Sequence, residues 1–485
     1  MVRLRICLLA SELHPYAKAG GLADVMAALA RFLWEEGHDV RLFLPLYSSI
    51  DQSKGIETVA GLEHLSVNLG VYTASYGVRQ ASLGETGPPV YLIDSPEFYH
   101  RGRLYTEDED EHRRFVLLCR ATLEVCQRLA WSPQIIHCND WQTALTPLYL
   151  RTHYAWDRLF ADTRTLLGLH NLGYQGRLSG WYLGDLDLVA HVDRLDQEDF
   201  HRGEINLLKS GILHADALVT VSPTYAREVQ TPEYGMGLES VLAARREVLH
   251  GILNGVDYSE WSPEHDPYIP HRYQRGNLAG KSANRRTLLN ELGLSDDPDA
   301  PVIGVVSRLV SQKGFDLMFE VLPDFLWRQD CRLVLLGSGE HRYEGFFGWL
   351  QYEHPRKVCF FRGFNNYLAH LIEAGADFFL MPSRYEPCGL NQMYSLRYGT
   401  IPVVRRTGGL ADTVVPFDST LGQGTGVVFD DYDSPALLWA LERALEIYRN
   451  RDDWVLIQAN AMTQDFSWSQ QGNRYLALYR QLIAG

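Results

Sequence analysis

Short apolar runs of strand length recur along this chain with amphipathic, helix-length stretches between them, and that alternation limits the fold more than any other feature. Ile6–Ala10 leads into a loop, Ser11–Gly21, and then into Leu22–Glu36, where Leu22, Val25, Met26, Leu29 and Leu33 keep a helical period. Gly37 stops that helix, and Val40–Leu44 is the next strand-like run. Strand, helix, strand in this order is a βαβ unit, which predicts a parallel sheet covered by helices. The pattern continues through Val90–Ile93, Ile135–His137, Thr165–Leu169 and Leu218–Val221. A second series begins near residue 300 with Val302–Val306, Leu333–Leu336, Val358–Phe361, Phe378–Met381 and Ile401–Val404. Alternation and glycines between Leu62 and Ser82 predict an inserted hairpin. Tyr105–Arg114 reads as a solvated loop opening a helix, and Trp261–Asn277 as connection between the two series. Helical spacing returns in Trp468–Ile483.

Two series fit the length. A chain of 485 residues exceeds the ~250–300 residues at which one hydrophobic core stops growing. The formal net charge of −15 argues against a nucleic-acid partner. An anionic small substrate would need a local cluster of Lys and Arg. The seven cysteines include no CxxC pair and mostly sit in apolar runs, as expected of buried reduced thiols in a cytoplasmic protein. The N-terminal stretch lacks the long apolar core of a signal peptide, and no run of ~18 apolar residues predicts a membrane span.

Ligands of doubly wound sheets bind beyond the carboxyl ends of the strands, so chemistry is sought there. After the first strand, Lys18-Ala19-Gly20-Gly21-Leu22 joins a glycine turn, a cation and a helix N-terminus, which suits a diphosphate. It is neither GxGxxG nor a P-loop. In the second series, Arg308 and Lys313 follow a strand and open a helix, a fork and a point charge able to grip one diphosphate. Glu386 follows Phe378–Met381 on a stiff turn, Glu386-Pro387-Cys388-Gly389-Leu390, where it could bond sugar hydroxyls or stabilise a cationic sugar centre. Thr407-Gly408-Gly409-Leu410 is a second Gly-Gly-Leu turn suited to phosphate or ribose. Asp140 and His170 end strands of the first series and converge on one face. His137 and Asp140 lack a third metal ligand at a plausible spacing, and Asp185-Leu186-Asp187 reads as a solvated helix start.

These motifs resemble bacterial glycogen synthases of the starch-synthase type across nearly the whole chain. The match rests on Lys18–Leu22, Asn139-Asp140-Trp141, His170–Gly176, Asn254–Asp257, Ser307–Gly314, Glu386–Gln392 and Arg406–Leu410, in that order. The resemblance implies an α/β GT-B fold: two Rossmann-like, doubly wound domains facing a central cleft, with a C-terminal helix crossing back to the first domain. The domains are expected at 1–253 and 254–465, with the helix at 466–485. The implied reaction moves glucose from ADP-glucose to an α-1,4-glucan (glycogen or a maltooligosaccharide) with retention, in the cytoplasm, without a metal or other cofactor, nucleic acid or membrane. Carried over by position, Lys18, Gly20 and Gly21 hold the donor diphosphate, and Arg308 and Lys313 neutralise it. Glu386 lies by the transferred glucose, and Asp140 and His170 line the acceptor side. Glu12, Asn254, Tyr105 and Gly409 are further donor-site or cleft positions.

Two departures stand out. Many retaining GT-B enzymes carry a second Glu eight residues after the first, and here that residue is Tyr394. Asn139 and Gln142 stand where the family often has His. Retention permits a nucleophile, with Asp140 or Glu386 as candidates, or same-face attack with a donor phosphate oxygen taking the acceptor proton; the family favours the second. Open alternatives are a UDP-glucose donor, another GT-B acceptor, or a non-catalytic glucan-binding homologue.

Overall fold

The computed structural model describes residues 2–53 and 55–484; Lys54 and the two terminal residues, the outer bounds of the expected domains, lie outside that set. The chain divides into two compact units, Met1–Val221 with Ala226–Gly255 and Trp468–Gly485, and Ser222–Tyr225 with Val256–Ser467.

The first unit is built on a ten-stranded sheet. Its strands are β1 (Arg5–Leu9), β2 (Asp39–Pro45), β3 (Glu57–Thr58), β4 (Leu65–Asn68), β5 (Thr73–Ser82), β6 (Pro89–Asp94), β7 (Ile135–Asn139) and β8 (Arg164–Leu169). A separate two-stranded ribbon of β9 (Arg177–Ser179) and β10 (Glu204–Asn206) precedes the last two, β11 (Ala217–Thr220) and β12 (Leu249–Gly251). The sheet order is β12-β11-β8-β7-β1-β2-β6-β5-β3, with β4 paired to β5. From β12 to β6 every pairing is parallel, so β1 lies between β7 and β2 and the chain switches direction of winding there. β4 and β5 are the expected hairpin, antiparallel to each other, and β5 is antiparallel to β6.

The second unit is a six-stranded, wholly parallel sheet. It comprises β13 (Val302–Val306), β14 (Arg332–Gly337), β15 (Val358–Arg362), β16 (Phe378–Met381), β17 (Ile401–Arg405) and β18 (Val427–Phe429), in the order β15-β14-β13-β16-β17-β18. In chain order this is the 3-2-1-4-5-6 arrangement of a Rossmann sheet. Val302, Val334, Leu336, Phe379, Val404 and Val428 meet Leu288, Leu371, Ile372 and Leu410 of the flanking helices in one core. Strands buried on both faces show no polar alternation, which is why each read as a continuous apolar run.

The C-terminal helix, Trp468–Ala484, packs in the first unit against the helix Leu22–Glu35. Its buried Tyr479 hydroxyl bonds His137 Nδ1 of β7 at 2.8 Å, and the Leu482 carbonyl accepts from Arg164 Nε at 3.3 Å.

Three sequence expectations need correction. Trp261–Asn277 is not a bare connection: Ser262 and Asp266 are fully buried, and Asp266 bonds His370 Nδ1 (2.8 Å) and the Tyr398 hydroxyl. Tyr105–Arg114 is not solvated throughout, because Arg114 is fully buried, donating to the Phe98 carbonyl (2.8 Å) and pairing with Glu111 (2.7 Å). Asp185 is likewise no solvated helix start. It is buried between His112 Nε2 (2.9 Å) and Arg113 Nε (2.8 Å), while Asp187 pairs with Arg120 and His153. Asp185 and Asp187 read as solvent-facing because their partners on the helix Glu111–Arg128 lie about seventy residues away in the chain.

Candidate functional site

In the first unit, the ends of β1, β7 and β8 carry the predicted residues. Ser11 and Glu12 follow β1 and are buried. Glu12 is held by three donors: the amides of Ala19 and Gly20 reach one carboxylate oxygen at 2.7 Å each, and the Tyr105 hydroxyl reaches the other at 2.7 Å. Ser11 Oγ lies 2.8 Å from the same hydroxyl. Burial, then nearby Tyr47 and Glu12, raise the Tyr105 pKa, so it stays a neutral donor. The glycine loop therefore already holds an anion, one the chain itself provides. Of the loop residues assigned to a diphosphate, Gly20 has its amide committed to Glu12. Gly21 caps the helix Leu22–Glu35 without a side-chain bond. Lys18 is half-exposed and paired with Asp24 at 2.8 Å.

Asp140 follows β7 in the left-handed region (φ 55°), and its Oδ1 accepts from the His170 amide at 2.8 Å. Burial raises the Asp140 pKa against the opposing pull of His170 and its backbone donors. Burial lowers that of His170. The His170 tautomer follows from its neighbour. Asn139 spends its Nδ2 on the Leu9 and His137 carbonyls (3.1 and 3.3 Å), so its Oδ1 receives the proton of His170 Nε2 at 2.9 Å. Asn139, where the family often has His, is thus the group that orients His170. Asn254 lies in this unit too, buried, with an Oδ1 that has no hydrogen-bond partner among the described residues.

In the second unit, the loops after β13 and β16, adjacent strands, bring Arg308, Lys313 and Glu386 to one sheet edge. Lys313 Nζ bonds Glu386 Oε2 at 2.6 Å, and Ser383 Oγ donates to the same oxygen at 3.1 Å. The Arg384 amide donates to the Gln312 carbonyl at 2.9 Å, zipping the two loops together. Gly314 makes this possible: its φ is 73°, and a Cβ there would overlap the Pro382 carbonyl oxygen. Arg308 is exposed, and its guanidinium has no ion pair or hydrogen bond among the described residues. Asn391 Nδ2 ties the helix after Glu386 to the Val306 carbonyl at the end of β13 (2.7 Å).

The turn Thr407-Gly408-Gly409 after β17 is buried. The Gly409 amide donates to the Glu386 carbonyl at 3.0 Å, and side chains at Gly408 and Gly409 would overlap the Glu386 and Cys388 carbonyls. These glycines are thus explained by the close approach of two turns. Cys388 is buried, Gly389 turns at φ 70°, and Leu390 caps the helix Asn391–Tyr398. Tyr394, in place of a second Glu, stacks on Trp261 (4.0 Å, 4°), whose ring also stacks on His370 (3.8 Å, 13°). Sequence reading missed this sandwich, as it missed Ser11 and Ser383.

The family model described as the starch synthase catalytic domain matches residues 5–244, and that described as glycosyl transferases group 1 matches residues 293–457. The glycogen synthase of Desulforudis audaxviator is 43% identical over 99% of this chain and 97% of its own length. The glycogen synthase of Anaeromyxobacter dehalogenans is 45% identical over 99% of this chain and all of its own. Among solved structures, the catalytic domain of starch synthase IV from Arabidopsis thaliana, bound to ADP and acarbose, aligns at a TM-score of 0.89 and 33% identity, covering 100% of both chains. Sucrose-phosphate synthase from Thermosynechococcus elongatus, at 18% identity and a TM-score of 0.62 over 99% of this chain and 100% of that one, shares the fold alone. Two α/β sheets, the second wholly parallel and the first parallel from β12 to β6, and these likenesses make the fold GT-B, and the chain belongs to the glycogen and starch synthase family of glycosyltransferases.

Proposed function

We propose that this glycogen synthase family member transfers glucose from ADP-glucose to the non-reducing end of an α-1,4-glucan with retention, as a cytoplasmic enzyme needing no metal. The observation that carries the donor half is the cluster at the β13/β16 edge: Arg308 exposed and without an ion pair among the described residues, and Lys313 2.6 Å from Glu386. The ADP and acarbose held by the starch synthase IV structure support both halves of the reading.

Breaking the bond from glucose C1 to the diphosphate leaves negative charge on the leaving group and positive charge on the ring. Arg308 and Lys313 offset the first. Glu386, fixed by Lys313 and Ser383, offers a carboxylate to the ring or its hydroxyls. In the first unit, Lys18 is the candidate for the donor's charge. Asp140 and His170, the latter neutral with its Nε2 proton committed to Asn139, line the sugar and acceptor. Same-face attack, with a donor phosphate oxygen taking the acceptor proton, asks no side chain to act as nucleophile. Asp140 fits that scheme, because its Oδ1 is engaged by a backbone amide.

Donor competition between ADP-glucose and UDP-glucose on glycogen tests the proposal. Preferential transfer from ADP-glucose is expected. Transfer from UDP-glucose alone would overturn the donor assignment, and no transfer from either would favour a glucan-binding homologue.

A further inference from the structure

Successive side chains of a strand alternate between faces, so His137 and Asn139 of β7 share one face. The parallel register sets Asn139 opposite Gly168 of β8. With no side chain at Gly168, the space above it is taken by three polar heads. A Cβ there would stand 2.7 Å from Asn139 Oδ1, 2.9 Å from His170 Nε2 and 3.3 Å from His137 Nε2. His137 is therefore a close neighbour of His170, although the transfer scheme gives it no part. Its ring is gripped from the C-terminal helix. Tyr475 lies tilted against it (5.7 Å, 33°) and Tyr479 edge-on (6.0 Å, 71°), with the Tyr479 hydroxyl 2.8 Å from Nδ1.

That bond fixes where the imidazole proton sits. Tyr479 and His137 are both fully buried. Burial raises the Tyr479 pKa, so the phenol keeps its proton. Nδ1 of His137 is its one hydrogen-bond partner among the described residues, and the hydroxyl donates there. Burial, then the nearby His170, lowers the His137 pKa, so that ring is neutral and carries its own proton on Nε2. Nε2 is buried and has no hydrogen-bond partner among the described residues. Leaving a buried donor short of a partner costs stability, so its placement asks for a reason. The N–H turns into the space that Asn139 Oδ1 and His170 Nε2 also line. Asn139 Oδ1 already accepts from His170 Nε2, and the rest of that amide is spent on the Leu9 and His137 carbonyls. A second N–H dipole at this point, its positive end inward, favours the amide oxygen there and opposes a positive charge on His170.

We propose that Tyr479 of the C-terminal helix is a positioning residue for glucosyl transfer: through His137 it holds Asn139 and His170 in the one arrangement that keeps His170 neutral and fixed at the sugar. The inference rests on the role given to His170 above. The test measures kcat and KM for glycogen at saturating ADP-glucose in the full chain, for Tyr479→Phe, His170→Ala and the double variant. One hydrogen bond is worth roughly 3–10-fold. Tyr479→Phe should therefore lower kcat by about that factor and leave KM within about twofold. In the His170→Ala background the same change should cause no further loss, because its effect passes through that ring. His137→Phe breaks the bond from the other side, should give the same pattern, and replaces Tyr479→Phe if that variant does not fold. An unchanged kcat, or an equal proportional loss in both backgrounds, overturns the inference and leaves Tyr479 a packing residue. A His170→Ala variant as active as wild type overturns it together with the role of His170. A wild-type protein that transfers no glucose overturns the transfer reading, and the inference with it.

Discussion

Arg308 and Lys313 look equivalent in sequence, yet their surroundings predict different responses to the same truncation. Arg308 is exposed and its side chain has no partner among the described residues, so Arg308→Ala removes charge without stranding a described group. Its melting temperature should match wild type, because surface changes of this kind stay within about 0.5 kcal/mol. Lys313 is paired with a Glu386 side chain only 7% exposed. Lys313→Ala leaves that carboxylate without its cation but still accepting from the Ser383 hydroxyl. Breaking a buried pair on one side costs ~3–5 kcal/mol, and the surviving Ser383 bond puts this case near ~3. In a unit of about two hundred residues, ~3 kcal/mol lowers the melting temperature by roughly 6–12 °C. Replacing both partners, Lys313→Met with Glu386→Gln, should recover most of that loss, since no buried charge is left alone. Both single variants should lose glucosyl transfer by ~10²–10³, the usual effect of removing one group that stabilises developing negative charge. Thermal unfolding beside transfer of labelled glucose onto glycogen reads both quantities. Near-normal transfer by Arg308→Ala, or a Lys313→Ala variant as stable as wild type, would refute the reasoning.

Glu12→Ala should lower transfer by roughly tenfold or more, because it leaves the Ala19 and Gly20 amides and the Tyr105 hydroxyl without their shared acceptor; wild-type turnover would show that the loop does not need its resident carboxylate. His137 is buried neutral, with its pKa pushed down to about 3 mainly by burial. The unfolded chain, with an ordinary histidine near ~6.5, then binds one more proton between those values, and stability should fall by up to ~1.4 kcal/mol per pH unit as pH drops through that window. Urea unfolding of wild type and His137→Gln between pH 6 and 4 checks this, with a shallower slope expected for the variant. Transfer should be unaffected by EDTA, and a large loss would revive a metal-assisted mechanism.

Central parallel strands such as β7, β8, β13, β16 and β17 were legible because they are buried on both faces and read as unbroken apolar runs bounded by turns. Short β12 and β18, three residues each, carry too little pattern to be seen. Residue types at the site were legible for a related reason, since doubly wound sheets expose their ligands' neighbours just past strand ends. What each residue bonds to was not. Glu12 and Tyr105 are 93 positions apart and Lys313 and Glu386 are 73 apart, so nothing local in the chain announces either pair. Likewise Tyr394 shows only as a missing carboxylate until Trp261, more than a hundred residues earlier, is found stacked on it.

Both units place their chemistry at the same topological position by the same physics. Where strand one lies beside strand four, the crossover helices leave to opposite faces and the loops at the carboxyl ends diverge. In the first unit that position lies between β1 and β7 and holds Glu12 and Asp140. In the second it lies between β13 and β16 and holds Arg308, Lys313 and Glu386. The charges are matched differently. Each carboxylate of the first unit accepts from backbone amides, so its negative charge is met by dipoles fixed by the fold. In the second, Lys313 and Glu386 cancel one another and Arg308 is left over. The excess positive charge among these three residues therefore belongs to Arg308. Under the proposed function, that is the charge a diphosphate would neutralise without first separating a buried pair, with Arg308 as its first contact and Lys313 engaged as the donor settles against Glu386.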